Sequence, residues 1–466
     1  MRPVGEALIE AGLAERVIAR ALARGGEFAE LFCEERRGFG LSIDESRIER
    51  PQAGHERGGG VRVVADGVSY FAHVDGLAEQ DLMRAAEGAS AALGDGAAKP
   101  RPLEALSAGA AGEIEIDPAS VPAERKAELL RELDERARSQ GEEIAQVSAS
   151  YAEGRRRVLV ANSEGLQAAD DRTRVRLGAQ AVARRGDTVE TGFETLGALR
   201  GFELLEEDPA AVAEQAAGTA IALLDADPAP TGEMTVVVGG GFGGVLFHEM
   251  TGHGLEADAV QKGASVYAER MGERIAEPVV TAYDDGAMTG EWGSGAIDDE
   301  GAPTRRTPVI EEGKLVSYLY DRLRADRDGV ESTGNGRRES FRHLPIPRMT
   351  NTYIAPGEAN PEAIIGEVER GFYAVSFAGG QVEPATGDFV FGVSEGYLIE
   401  KGKVTSPCRG ATLIGNCLVA LARIDAVGSD FEMKTGFCGK AGQRAPVGTG
   451  QGHVRIRGMT VGGTAA

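Results

Sequence analysis

His248, Glu249 and His253 stand together in MTVVVGGGFGGVLFHEMTGHGLEAD, residues 234–258. A His-Glu pair opening a short helix, with a second His about one turn on, builds many hydrolytic zinc sites. The imidazoles hold the ion, and the carboxylate takes a proton from metal-bound water. The spacing is one residue longer than H-E-x-x-H. On a regular α-helix, residues five apart point about 140° away from each other, too far for both rings to reach one ion. A π-type turn brings that offset to about 50°, and such turns are enriched at functional sites. The spacing therefore predicts an irregular helix, with Gly252 easing the distortion.

Two of only six His closing on one Glu is an uneven use of a scarce residue. Apolar Val245, Leu246 and Phe247 predict burial, and a buried His-Glu-His cluster needs partners for its polar atoms. The residues alone leave the third ligand open. Glu256 and Asp258 are equal candidates with a cysteine, because a carboxylate also suits zinc.

The same stretch offers a rival chemistry. Gly239-Gly240-Gly241-Phe242-Gly243-Gly244 fits G-x-G-x-x-G between a strand-like 234–238 and a helix, as in a dinucleotide-binding turn. No convincing βαβ unit follows it, which favours glycines that simply permit a tight strand-to-helix turn.

A chain of 466 residues predicts two or three domains. Its hydrophobic fraction of 42% and charged fraction of 26% are those of a soluble protein. A net charge of −23 argues against binding a nucleic-acid backbone. Four Cys (Cys33, Cys408, Cys417 and Cys438) make no disulfide framework in so long a chain. Cys33 and Cys417 sit among apolar neighbours and read as buried thiols, and Cys408 as part of a turn. No apolar run approaches a membrane span, and residues 2–24 read as an amphipathic helix and not a signal peptide, so the cytoplasm is expected.

The elements that must position the site follow from periodicity. An amphipathic helix ends at Gly25-Gly26. Strands are expected at 28–35, 38–43 and 60–74, the last with a turn at Asp66-Gly67, then an Ala-rich helix at 76–93. Residues 94–102 read as a linker. Helix 121–139 opens a second unit of strands 144–153, 156–162, 165–183 and 190–196, closed by helix 209–225. After Pro228 the chain is strand- and loop-rich, with one clear helix at 361–371. The fold class is α+β: two helix-plus-β-meander domains, 1–102 and 103–227, then a β-rich, barrel- or sandwich-like catalytic domain, 228–466.

His248-Glu249-Met250-Thr251-Gly252-His253-Gly254-Leu255-Glu256 resembles the signature of the TldD/PmbA family of zinc peptidases. So do, in order, EWGSGAIDDEGAPT (291–304), TGNGRRES (333–340), LPIPRMTNTY (344–353), GGQV (379–382), RGATLIGN (409–416) and CGKAGQRAPVGTGQ (438–451). The resemblance implies a Zn2+ held by His248, His253 and Cys438, with Glu249 as general base. It places the chain on the TldD side, which keeps this set, and not the TldE (PmbA) side, which lacks it. It further implies a peptide substrate, and a homodimer or a heterodimer with a TldE-like paralogue enclosing the site. Where the family has other residues, this chain has GGGFGG before the helix, Met250-Thr251 within it, and Gly452-His453 near the end.

Arg337 and Arg338 are candidate substrate clamps, because guanidinium groups bind carboxylates and carbonyls well; a structural ion pair is the competing reading. Asn351, in Thr350-Asn351-Thr352, is a candidate for pairing with an extended peptide by strand addition. The leading expectation is a zinc-dependent peptidase of extended or unstructured peptides. The alternatives are a dinucleotide-binding protein using Gly239–Gly244 and a non-catalytic TldE-like scaffold.

Overall fold

In the computed structural model, residues 7–94, 99–106 and 111–463 are described. Of the expected first helix, Ala11–Ala21 is helical, and its start at 2–6 lies outside the described residues. So does the middle of the expected linker, 95–98.

The strand pattern differs from expectation in one instructive way. Residues 28–35 and 38–43 form a single strand, Phe28–Asp44, and 144–153 and 156–162 form another, Ile144–Asn162. Their polar, Gly-containing middles look like breaks in the sequence. In the structure they pair with each other, Gly38 opposite Gly154 and Arg36 opposite Arg156. Charges are met across the strands, with Arg157 3.0 Å from Glu35 and Arg156 2.5 Å from Glu34. Cross-strand ion pairs thus stand in for the apolar alternation that usually announces a strand.

These two strands lie at the centre of one sheet. Gln52–Ala65 and Val68–Asp75 extend it on one side, and Leu166–Arg185 and Thr188–Ala198 on the other. The turn at Asp66-Gly67 has positive φ at both residues, as the dipeptide predicts. Helices Ala11–Ala21 and Glu79–Ser90 bury Val17, Ile18, Leu82 and Ala86 against the first half. Ala123–Arg138 and Ala211–Leu223 bury Leu129, Leu133, Ala213 and Ala217 against the second.

The remainder is β-rich, as expected. Arg370–Glu383, Gly232–Val238, Val454–Gly462, Thr412–Asn416 and Asp388–Glu400 pair in turn, and the last returns to the first, closing a barrel. Phe372, Phe389, Phe391 and Leu413 fill its core. A second sheet runs from Lys314–Leu315 through Ala282–Asp285, Asn351–Ile354 and Gln443–Gln451 to Glu432–Lys440. The helix expected at 361–371 is shorter, Pro361–Gly366, and other short helices occur, among them Ala257–Gln261. Arg322–Asp328 is capped by the Asp321 side chain and stopped by Gly329 at φ +67°, while Cys417–Leu421 is a short turn capped by Asn416. None of these carries enough apolar periodicity to be seen in the sequence. Among the described residues no helix is long and apolar enough to cross a membrane.

A buried ionic network joins the first sheet to the loops of the β-rich part. Arg62 lies 2.9 Å from Glu30 and 2.6 Å from Glu300, while Arg338 also reaches Glu30. Arg172 bridges Asp170 at 2.7 Å and Asp299 at 3.0 Å, and Arg156 lies 3.3 Å from Asp299. All these side chains are buried. Removing one partner from a buried pair strands the other and costs about 3–5 kcal/mol. The family-like blocks 291–304 and 333–340 supply Asp299, Glu300 and Arg338, so these charges hold the loops in place.

Candidate metal centre

The helix begins where Gly232–Val238 leaves the barrel. Gly241, at φ +61°, opens a tight turn, and Gly244–Phe247 follows as α-helix. His248–Gly252 is then a π-helical turn, before α-helix resumes at His253–Leu255. The distortion demanded by five-residue spacing is present between the two histidines. Leu246, Phe247 and Met250 are almost wholly buried, worth ~1.5–3 kcal/mol each over leaving them exposed. They anchor the turn between the barrel and the second sheet.

Gly252 does not act by flexibility. Its φ of −55° is ordinary helix. A Cβ there would fall 1.8 Å from the sulfur of Met349, and one on Gly254 2.6 Å from the ring of Tyr267. Both glycines are needed for close approach. Met349 is itself positioned from the second sheet. The buried Asp284 carboxylate accepts from Thr350 N–H at 2.9 Å, Thr350 Oγ1 at 2.7 Å, Thr352 Oγ1 at 2.8 Å and Asn335 Nδ2 at 2.7 Å.

Cys438 arrives from Glu432–Lys440, 185 residues beyond His253, and its Sγ lies 3.2 Å from His253 Nε2. The two imidazoles are 5.5 Å apart between centroids and nearly perpendicular. One ligand atom from each of His248, His253 and Cys438 lies within 4.8 Å of the others. Tetrahedral zinc with Zn–N of about 2.0–2.1 Å and Zn–S of about 2.3 Å needs donor separations near 3.5 Å, so small side-chain adjustments suffice. Nδ1 of His248 is buried without a hydrogen-bonding partner among the described residues. Two imidazoles and a thiol with one such orphaned nitrogen fit a metal of zinc's character.

The electrostatics set Cys438 apart from the other thiols. Burial is the main cause that pushes Cys33 and Cys417 up to about 12 and Cys408 to about 11. Burial acts on Cys438 in the same direction, but His248 and His253 beside it outweigh burial and hold it at about 5. Cys438 is therefore the one thiol of the four poised as thiolate at neutral pH. Cys408, expected in a turn, is buried in the strand Lys403–Arg409.

His253 Nδ1 lies 3.0 Å from Glu256 Oε2, which leaves Nε2 turned toward Cys438. A carboxylate on the far nitrogen fixes tautomer and ring orientation and makes the ring a better ligand. Burial tends to raise Glu256, but His253, Lys440 and Arg348 outweigh it and keep the carboxyl below its ordinary range. Lys440 Nζ lies 3.0 Å from Glu256 and 2.5 Å from Asp258. Both carboxylates that the sequence offered as third ligand are thus engaged by Lys440. The signal was available in part, since Lys440 follows Cys438 by two residues and shares its face of the strand. Glu256→Gln should keep the fold and weaken Zn2+ binding about 10-fold, read by chelator competition; unchanged affinity would reduce Glu256 to a structural anion.

Glu249 is partly exposed, with Oε2 3.8 Å from His253 Nε2, and stands outside the His-His-Cys group.

The other candidates are engaged elsewhere. Arg337 is buried and donates to the carbonyls of Met349 and Pro446. Arg338 is buried against Glu30 and the carbonyl of Asp299. Asn351 is fully buried, donating to Asp285 O and Ser294 Oγ and accepting from Gly293 N–H. Its strand is paired on both edges, with 282–284 and 448–450, so neither edge is open to a peptide. A substrate clamp needs accessible donors, and these three side chains hold the protein together instead.

The glycine loop packs against protein as well. A Cβ on Gly244 would meet the backbone of Gly450 at 2.6 Å, and one on Gly243 the side chain of Val238. The parallel neighbour of Gly232–Val238 is Arg370–Glu383, far along the chain, so no βαβ unit surrounds the loop. Dinucleotide binding is not favoured. His453 lies with Nδ1 2.6 Å from Asp430 and Nε2 2.8 Å from the Tyr373 hydroxyl.

Three family models match in order along the chain: PmbA/TldA metallopeptidase domain 1 over 29–93, the central domain over 116–224 and the C-terminal domain over 231–463. The chain belongs to the PmbA/TldD metallopeptidase family. A metalloprotease TldD homolog of Haemophilus influenzae is 38% identical over 95% of this chain and 94% of its own length. A metalloprotease of Methanothermobacter thermautotrophicus is 34% identical over 94% of this chain and 96% of its own. TldE from Thermococcus kodakarensis shares the fold, with a TM-score of 0.77 at 21% identity over 94% of this chain and 97% of that one. Membership of this PmbA/TldD family makes a metal cofactor and peptidase chemistry the setting for the His-His-Cys cluster.

Proposed function

We propose that this chain is a zinc-dependent peptidase of extended or unstructured peptides, with His248, His253 and Cys438 as metal ligands and Glu249 as general base. The observation that carries the reading is the convergence of two imidazoles and a thiolate across a π turn. When bound, the dication supplies a Lewis acid with one coordination position open to water or substrate. Glu249 takes a proton from the attacking water and delivers it to the leaving amine. Glu256 holds the His253 ring in the tautomer that leaves Nε2 free. The retained ligand set speaks against a purely scaffolding role.

The reading includes a dimer, with a second copy or a TldE-like chain, that walls the site with the sheet-bearing units 1–102 and 103–227 around the catalytic unit 228–466, and a cytoplasmic setting. An enclosed site admits loose chains and excludes folded ones by size. Its support is the chain's membership of a family whose fold is shared by a protein named TldE. Light scattering of the full chain, alone and with such a partner, should show a dimer. The zinc-loaded protein should cleave short unstructured peptides and spare a stably folded protein of similar sequence. A monomer equally active on both substrates would defeat the enclosure and leave the metal chemistry standing.

A further inference from the structure

A π turn inside an α-helix disturbs the regular i→i+4 ladder and leaves carbonyl oxygens in search of donors. In an apolar interior such oxygens are costly unless another group meets them. Around the metal helix, three buried hydroxyls do so. Thr251 Oγ1 donates to Phe247 O at 2.7 Å, Tyr267 OH to Met250 O at 2.6 Å, and Ser265 Oγ to Gly254 O at 2.5 Å. Phe247 immediately precedes the π turn, Met250 lies inside it, and Gly254 follows His253.

Tyr267 is itself fixed. It is fully buried, its ring fills the space left by the missing side chain of Gly254, and its carbonyl accepts from Tyr318 OH at 2.7 Å. Its backbone N–H donates to Ser265 Oγ at 3.1 Å. Ser265 and Tyr267 thus form a two-pronged clip reaching the helix from outside, while Thr251 closes on it from within. A threonine hydroxyl bonded back four residues favours bending of a helix. None of the three hydroxyls belongs to the ligand group.

We propose that Tyr267, together with Thr251 and Ser265, positions the metal ligands by holding His248–Gly252 in its π form, so that both imidazoles face one ion. This rests on the reading of His248, His253 and Cys438 as ligands. Without the clip the turn relaxes toward α-helix, where ligands five apart diverge.

The test uses the full chain and its Tyr267→Phe, Thr251→Val and Thr251→Ser variants. Zn2+ affinity is measured by chelator competition, and the visible spectrum of the Co2+-loaded protein reports ligand geometry. Tyr267→Phe and Thr251→Val should bind Zn2+ about 10–100-fold more weakly, the usual loss on removing an outer partner of a ligand, with shifted Co2+ bands. Thr251→Ser, which keeps the hydroxyl, should match wild type on both readouts. Wild-type affinity and an unchanged Co2+ spectrum in Thr251→Val and in any folded Tyr267→Phe would overturn the proposal. Should Tyr267→Phe not fold, Thr251→Val against Thr251→Ser decides it. A wild-type chain that binds neither ion overturns the ligand assignment, and the clip falls with it.

Discussion

Glu249→Gln should leave the metal bound and abolish peptide hydrolysis. The carboxylate sits beside the candidate ligands without joining them, 3.8 Å from His253 Nε2 and open to solvent on one side. An amide of the same shape keeps the packing of the π turn but cannot take a proton from water. General-base catalysis contributes typically ~10²–10⁴ in rate, so turnover of a short peptide should fall by at least about two orders of magnitude. Bound zinc, measured by elemental analysis after gel filtration, should stay at the wild-type ratio. A folded Gln variant that had lost its zinc would make Glu249 a ligand and overturn its assignment as base.

Cys438→Ala should empty the site, whereas Cys33→Ala, Cys408→Ala and Cys417→Ala should not. All four cysteines are buried, so exposure does not distinguish them. What distinguishes Cys438 is its company. Two imidazoles hold its thiol at about 5, while burial lifts the other three to about 11 or 12. A thiolate is the form that binds a metal, and only Cys438 offers one without displacing a tightly held proton. Replacing it leaves two imidazoles for the ion, and zinc content after dialysis should fall several-fold or more. The other three alanine variants should differ in stability alone, each losing a small buried side chain. Equal zinc content in all four would remove Cys438 from the centre.

How far the sequence anticipated this centre depends on the range of each interaction. The π turn was legible because it is local: the separation of His248 from His253 and the geometry of a helix dictate it. Cys438 was not legible in that way. It reaches His253 through strand pairing across 185 residues, and only the resemblance of its CGKAGQ block pointed to it. The residues alone ranked Glu256 and Asp258 beside it, since nothing local shows that Lys440 engages both. Tyr267 and Ser265 carried no signal at all, because a hydroxyl aimed at one carbonyl leaves no periodicity. The long strands were cut in two for a related reason. ERRGFG and AEGRRR look like breaks until their charges are seen to answer one another across the sheet. Arg337 and Arg338 looked like ligands for a substrate because burial of an arginine is invisible in a sequence.

The ionic seam between the first sheet and loops 291–304 and 333–340 bears on how this protein can be divided. Asp299 and Glu300 belong to the β-rich part, yet their guanidinium partners Arg62, Arg156 and Arg172 belong to strands before residue 186. A fragment beginning at 228 would carry these carboxylates with their counter-ions left behind, together with Arg338 deprived of Glu30. Such a truncation exchanges matched charges for an acidic surface that repels itself. The metal centre is thus no portable cassette. It depends on the residues before 228, none of them in the candidate ligand group, and the part of the chain most easily taken for decoration neutralises the scaffold on which the chemistry would stand.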